Sequence, residues 1–238
     1  MKLSVVIPAH NEEKYIGQTL KTFFRQTWRD FEIVVCLNLC NDNTEAVVRG
    51  LARETNIPIK IVKEDRKGVS FARQTGTMVA SGEIIASADA DSNYPNDWLE
   101  KMENIFKKTP KIIGAYGPVY LYDGSFFLKT FANIFYLPFI YFSKLFGFDN
   151  PAGMNFAFKK EVFNKTGGYD LALKSAEDVV LAKKLKKYGK IKIAPGLKVF
   201  SSSRRFRLGF WQFLAHHTKN YFRVFIFKKS PRDFKDVR

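Results

Sequence analysis

Residues 84–91 read Ile84-Ile85-Ala86-Ser87-Ala88-Asp89-Ala90-Asp91. Five apolar or small residues run straight into two acids at i and i+2. Such a run suits a strand buried on both faces, as in a parallel sheet. The acids then fall on the loop leaving the strand's C-terminal end, where ligands of open α/β sheets collect. Two carboxylates at that spacing can approach one divalent cation. Mg²⁺ or Mn²⁺ takes hard oxygen ligands and draws the rest from water or substrate phosphates. On its own Asp-x-Asp is common in surface loops; the strand before it gives it weight.

Upstream, residues 3–7, 31–37 and 58–63 are strand-like in the same way, with 83–88 the fourth such run. Helical spacing occupies the intervals near 12–27, 42–54 and 68–80, as in Tyr15, Ile16, Leu20, Phe23 and Phe24. This alternation predicts an α/β chain, a mostly parallel sheet covered by helices on both faces. The loops that matter then follow the strands: Pro8 to Glu13, Asn38 to Thr44, and Asp89 to Pro95. The second half is less regular. A Phe/Tyr-rich block spans 126–146 and contains Pro138; a strand is expected over 155–159, a helix over 177–188 and a strand over 190–200. Residues 207–229 read as a basic, aromatic amphipathic helix. These patterns divide the chain into a domain of 1–200, with halves 1–120 and 121–200, and an extension of 201–238.

Charge is distributed unevenly. The net charge is +16, and Val180 to Arg238 holds 17 Lys/Arg against Asp233 and Asp236, so the first 179 residues are nearly neutral. Such asymmetry points to a polyanionic surface, nucleic acid or anionic lipid. No nucleic-acid-binding motif is present, so no nucleic acid partner is expected. The two cysteines, Cys36 and Cys40, are too few for a disulfide scaffold and read as reduced thiols. Met1-Lys2 runs directly into a strand pattern without a secretory signal, so the expected location is cytoplasmic.

Glu177-Asp178 opens a predicted helix. Acids there suit the helix dipole, but a carboxylate is also what a poorly nucleophilic hydroxyl needs to accept its proton. Arg204-Arg205 follows a strand, and guanidinium groups bind phosphate in bidentate fashion. His216 and His217 are adjacent, so on a helix they diverge by about 100° and do not chelate one ion.

In this order the motifs resemble glycosyltransferase family 2, the inverting group of GT-A (Rossmann-like) fold. The matching blocks are Ser4 to Glu13, Asp42-Asn43-Thr44, Lys67-Gly68 with Ala72-Arg73, Ala80 to Glu83, and Asp89-Ala90-Asp91-Ser92 with Pro95, Trp98 and Leu99. Gly153-Met154-Asn155, Gly167-Gly168-Tyr169-Asp170 and Glu177-Asp178 complete the series. The resemblance covers about residues 3–200. It implies a nucleotide-sugar donor bound by Pro8, Ala9, Asn11 and Glu12, with Asp89 at the ribose or metal and Asp91 on the metal, Mg²⁺ or Mn²⁺. Asp178 would be the base, with Glu177 beside it. Lys67 and Arg73 would be donor contacts, and Gly153, Met154 and Asn155 would lie on the acceptor side; Arg204 and Arg205, beyond the resemblance, are expected on the donor's leaving group or on a phosphorylated acceptor by their chemistry.

Asn38 stands where the family commonly has an acid. Its amide accepts from a base N–H without charge, which leans toward uracil, with one such donor, over guanine, with two. Sugar-phosphate nucleotidyl transfer, on a related fold, wants a Gly-rich loop after the first strand, and Pro8-Ala9-His10-Asn11 is not one. The 126–146 block and the basic tail together supply the two signals that stable membrane attachment requires. The expectation is therefore an enzyme peripheral to the inner membrane face, acting on a glycan or lipid-linked acceptor, with the block lying in the interface rather than spanning.

Overall fold

The computed structural model describes residues 1–173 and 175–206, the last two by their backbone alone. The helix expected over 207–229, His216-His217 and the Arg205 side chain lie outside the described residues.

The alternation seen in the sequence is the observed order. β1 (Leu3–Ala9), α1 (Ile16–Phe24), β2 (Phe31–Asn38), α2 (Thr44–Ala52), β3 (Ile59–Glu64), α3 (Val69–Val79) and β4 (Ile84–Ser87) come first. α1 is shorter than the 12–27 periodicity suggested, because residues 10–15 form the loop that leaves β1. β5 (Ser92–Asn93), α4 (Trp98–Lys108), β6 (Ile112–Tyr116), β7 (Val119–Leu121) and α5 (Phe126–Leu145) follow. The chain continues through β8 (Phe156–Lys159), α6 (Lys160–Lys165), α7 (Glu177–Leu185), β9 (Lys190–Ile193) and β10 (Val199–Ser201).

Seven strands form one sheet in the order β3-β2-β1-β4-β8-β6-β9, with β8 antiparallel to both neighbours and the other pairings parallel. Both halves of the chain thus share one sheet. The strand expected over 190–200 is two strands: Pro195-Gly196 breaks it, and β10 joins β5 and β7 in a separate three-stranded sheet.

Strand alternation divides the core. Leu3, Val5, Ile7 and Ala9 face α1, α2 and α4, packing with Leu20, Phe23, Val48, Trp98 and Met102. Val6 points the other way, into a cluster with Phe156, Phe158, Phe163, Leu181 and Leu185 from β8, α6 and α7. α3 lies close on that face: a Cβ on Gly76 would meet Val6 Cγ1 at 2.6 Å. At the N-terminal edge of the sheet, buried Glu32 accepts from Ser4 Oγ (2.6 Å) and Ser81 and pairs with Lys60, tying the starts of β1, β2, β3 and β4.

α5 departs from this pattern. Asn133 docks it on β7 through the Leu121 N–H (2.8 Å). Tyr136, Leu137, Ile140, Ser143 and Lys144 continue that stripe inward, at spacings of three and four. The opposite stripe carries Phe127, Phe131, Phe135, Phe139 and Phe142, all exposed.

Candidate active site

The C-terminal ends of β1, β2 and β4 meet the N-terminus of α7, and there charged side chains are buried. Three non-glycine residues among those described have positive φ: Asn11, Leu39 and Ala176. They follow β1, follow β2 and precede α7. Such backbone costs about 1 kcal/mol or more per residue and gathers at functional sites.

The loop after β1 is braced from the next strand. The Glu12 N–H donates to Thr44 Oγ1 (2.7 Å), the Glu13 N–H to Asp42 Oδ2 (3.1 Å), and the Asn41 N–H to Asn11 Oδ1 (2.8 Å). Asp42 and Thr44 therefore shape the loop holding Pro8, Ala9, Asn11 and Glu12. Asn38 spends its amide on the neighbouring loop: Nδ2 donates to the Glu64 and Arg66 carbonyls (both 2.8 Å), and Oδ1 accepts from the Gly68 N–H (3.0 Å). This presents Lys67, which is exposed, at the rim.

Arg73 is the centre of the site. Only 3% exposed, its guanidinium meets Asp89 Oδ1 at 2.6 Å, Glu177 Oε1 at 3.3 Å and Asp178 Oδ1 at 3.7 Å. It also donates to Ser87 Oγ and to the Gly153 carbonyl (3.2 Å). Burial alone would lower its pKa, but Asp178 and Asp89 raise it further, so it stays charged. Gly153 makes the packing possible, since a Cβ there would lie 2.3 Å from Arg73 Nη2 and 2.4 Å from Asp178 Oδ2. Asp178 is buried, and its Oδ1 receives no hydrogen bond among the described residues. Burial first, and Glu177 second, push its carboxyl well above the usual carboxylate range, against the pull of Arg73.

The second aspartate of the motif has its own arginine. Arg204 Nε lies 2.7 Å from Asp91 Oδ2, and its two terminal nitrogens hold both oxygens of Glu12 at 2.8 and 2.6 Å. The guanidinium also sits 4.8 Å over the Tyr15 ring.

On the expected acceptor side, Gly153 is the close-approach glycine just described and Met154 is half-buried. Asn155 is fully buried and structural: it accepts from Trp98 Nε1 (3.1 Å) and donates to the Pro118 and Leu197 carbonyls. Sequence reading missed Tyr94, whose hydroxyl accepts from the Asp89 N–H (2.9 Å) and donates to the Met154 carbonyl. It also missed Ser87, and Tyr169, a phenol buried near Asp178. Tyr169 sits in the Gly-Gly-Tyr-Asp block already quoted; Ser87 and Tyr94 flank the Asp-x-Asp segment without any distinguishing pattern.

A divalent ion suits this chemistry. Glu12, Asp89, Asp91, Glu177 and Asp178 surround only two guanidinium groups, so negative charge is in excess. No cluster of three or more possible ligands is assembled among the described residues. An ion here would be held by Asp91, with Asp89 beside it, and would take its other ligands from phosphate and water.

A mostly parallel sheet with buried acids and arginines beyond its strand ends has its ligand site where α/β enzymes of this architecture carry theirs. Residues 4–167 match the model of glycosyl transferase family 2, and the chain belongs to that family. It is 25% identical over 177 residues to a glucosyl-dolichyl phosphate glucuronosyltransferase of Haloferax volcanii, covering 71% of this chain and 56% of that protein. It is 31% identical over 187 residues to a probable glycosyltransferase of Bacillus subtilis, covering 71% of this chain and 43% of that protein. The chain thus spans about half the length of these curated relatives. A mannosyltransferase from Pyrobaculum calidifontis, solved with GDP-Man and Mn²⁺, superposes with a TM-score of 0.78 at 22% identity, covering 97% of this chain and 66% of that one. That likeness supports the GT-A fold for the described residues.

Proposed function

We propose that this chain is an inverting, metal-dependent glycosyltransferase moving a sugar from a nucleoside diphosphate donor to a lipid-linked acceptor at the cytoplasmic membrane face. The observation that carries the reading is Asp178: a buried carboxyl whose Oδ1 receives no hydrogen bond among the described residues, joined through Arg73 to Asp89 of the Asp-x-Asp motif. In the reaction Asp178 acts in its carboxylate form, which burial and Glu177 oppose and the Arg73 charge favours, and takes the proton of the acceptor hydroxyl. The acceptor oxygen forms its bond to the anomeric carbon as the bond to the diphosphate breaks, and the electron pair leaves on the phosphate. A bound Mg²⁺ or Mn²⁺ supplies positive charge for the departing diphosphate. Glu177 and Arg73 keep Asp178 in place, and the braced loop of Pro8 to Glu12 receives the nucleoside. Asn38 carries no charge where the family commonly has an acid, which leans the donor toward UDP, with GDP the alternative.

The acceptor class and the membrane rest on α5 and the basic segment. α5 is 20 residues, about 30 Å long, and is long and apolar enough to cross a bilayer by length and composition. Its inward stripe docks on the protein, which favours lying in the interface with the phenylalanine stripe toward acyl chains. Asp123, just before α5, binds Ser202 Oγ (2.8 Å) and the Ser203 N–H, so the basic segment starts beside that helix. Cys36 and Cys40 are both unpaired thiols, as suits a reducing compartment. The Haloferax relative's name carries a dolichyl phosphate acceptor, in keeping with a lipid-linked substrate.

Thermal shift with UDP- and GDP-sugars, with and without Mn²⁺, tests the donor: stabilisation by mass action is expected with metal present. Asp178→Asn should retain donor affinity and lose transfer to a hydroxyl acceptor by about a hundredfold or more. Transfer within a few-fold of wild type would assign the base elsewhere, and no stabilisation by any nucleotide would remove the donor reading.

A further inference from the structure

Arg204 belongs by sequence to the basic run that begins at Val180, yet its side chain is buried, with two carboxylates around it. Glu12 comes from the loop after β1 and Asp91 from the loop after β4. Arg204 arrives from 192 residues beyond Glu12 and joins them. Its backbone is anchored on the far side: the Ser203 N–H donates to Asp123, and the Arg204 N–H to Ser202 Oγ (3.3 Å). The guanidinium is thus a cation already held on the carboxylate of Asp91, the group a divalent ion would use.

Two cations cannot both take Asp91 Oδ2 in full. The charged N–H takes one acceptor site of the carboxylate and withdraws its charge, and a guanidinium beside a divalent ion is repelled in a buried site. An arriving diphosphate changes the balance, because its oxygens match the guanidinium fork as well as a carboxylate does. We propose that Arg204 is an exchangeable counter-ion. Before the donor arrives it neutralises Glu12 and Asp91 and holds their two loops together. As the diphosphate enters with its cation, Arg204 passes Asp91 to the metal and moves to the phosphates. Tyr15, under the guanidinium, gives it an aromatic face along which to slide. This inference rests on the glycosyltransferase reading and deepens it: Arg204 makes the site prefer metal and nucleotide together over metal alone.

Isothermal titration of the full chain separates the possibilities. For Arg204→Gln, Mn²⁺ alone should bind at least tenfold tighter than to wild type, because Asp91 and Glu12 have lost their internal cation. UDP in the presence of Mn²⁺ should bind the same variant at least tenfold more weakly, because the phosphates have lost the guanidinium. A purely structural arginine would weaken both, and a plain donor contact would weaken only UDP; Mn²⁺ affinity that is unchanged or lower in Arg204→Gln overturns the exchange. Arg204→Lys keeps the charge and covers the case in which the glutamine variant does not fold. Mn²⁺ alone should bind it within about threefold of wild type, and tenfold tighter binding would overturn the idea. If wild type binds neither UDP nor GDP in the presence of Mn²⁺, the donor reading falls, and this inference with it.

Discussion

The carboxylate–arginine cluster and helix α5 break the ordinary rule of burial in opposite directions. In the cluster, five acids and two arginines are inside; on α5, a row of phenylalanines is outside. Each is costly in isolation. Buried charges lose hydration and hold only when paired and hydrogen-bonded. An exposed apolar stripe stays in water without the gain of about 25 cal/mol per Å² that burial would bring. The cluster resolves its cost within the fold, through Arg73 and Arg204. α5 resolves only its inner stripe there, with Asn133 and Ile140 against the protein, and leaves the outer one for something else. One region is thus paired within the fold except for an excess of acids, and the other leaves an apolar stripe exposed.

Thermal unfolding of single variants sharpens this contrast, because it reads how far each region depends on the fold itself. The largest effect is expected from Arg73→Met. It leaves Asp89, Glu177 and Asp178 buried without their cation, and breaking a buried pair from one side costs about 3–5 kcal/mol. A loss of roughly 10 °C in Tm should follow, at about 2–4 °C per kcal/mol for a chain of this size. A Tm within 2 °C of wild type would mean that the cluster is not held by Arg73.

Glu32 supplies an intermediate case, a buried charge at the opposite edge of the sheet from the site. Burial alone would raise its carboxyl, but hydrogen bonds from Ser4, Lys60 and Ser81 outweigh that and hold it down at about 2, against 4.5 in the open chain. A depressed folded pKa stabilises above the unfolded value, and the contribution is lost as pH falls from about 4.5 through about 2. Glu32→Gln should therefore lower Tm at pH 7, by an amount that shrinks steadily below pH 4.5. A deficit that stays constant down to pH 3 would show that Glu32 contributes by shape rather than charge.

The smallest effect on Tm is expected on α5. Replacing Phe135, Phe139 and Phe142 together by Ser should change stability by less than about 1 kcal/mol, as substitutions at exposed positions do. The same variant should bind vesicles of anionic lipid at least tenfold more weakly in co-sedimentation, because each apolar side chain withdrawn from the interface removes its transfer energy. Unchanged vesicle binding would take α5 out of the attachment, and a large loss of Tm would show the stripe to be part of the core.

Much of the site was legible because its signals are local. Asp89 and Asp91 declare themselves by spacing and by the apolar run before them, and Glu177-Asp178 by opening a helix. Asn155 shows the limit: its motif placed it on the acceptor side, but its amide is consumed by Trp98, Pro118 and Leu197. β5, β6 and β7 were not legible, since two to five residues show no usable period. The strand expected over 190–200 failed for a related reason, as apolar content alone does not reveal that a Pro-Gly turn sends its two ends to different sheets.

The amino-acid sequence by itself determined the alternation of strands and helices, the position of the loops after the strands, and the placing of Asp89 and Asp91 at a strand end and of Glu177 and Asp178 at a helix start. These follow from periodicity and short spacing, which report the backbone within a few residues. Only the tertiary structure decided which charges meet. Arg73 reaches Glu177 across 104 residues and Arg204 reaches Glu12 across 192, because the order β3-β2-β1-β4-β8-β6-β9 brings distant loops to one edge. It also decided which face of α5 is outside, for a helix rich in aromatics on every side carries no local mark of the stripe that packs. That choice was made by Asn133 finding the Leu121 backbone and by Lys144 finding Asp149.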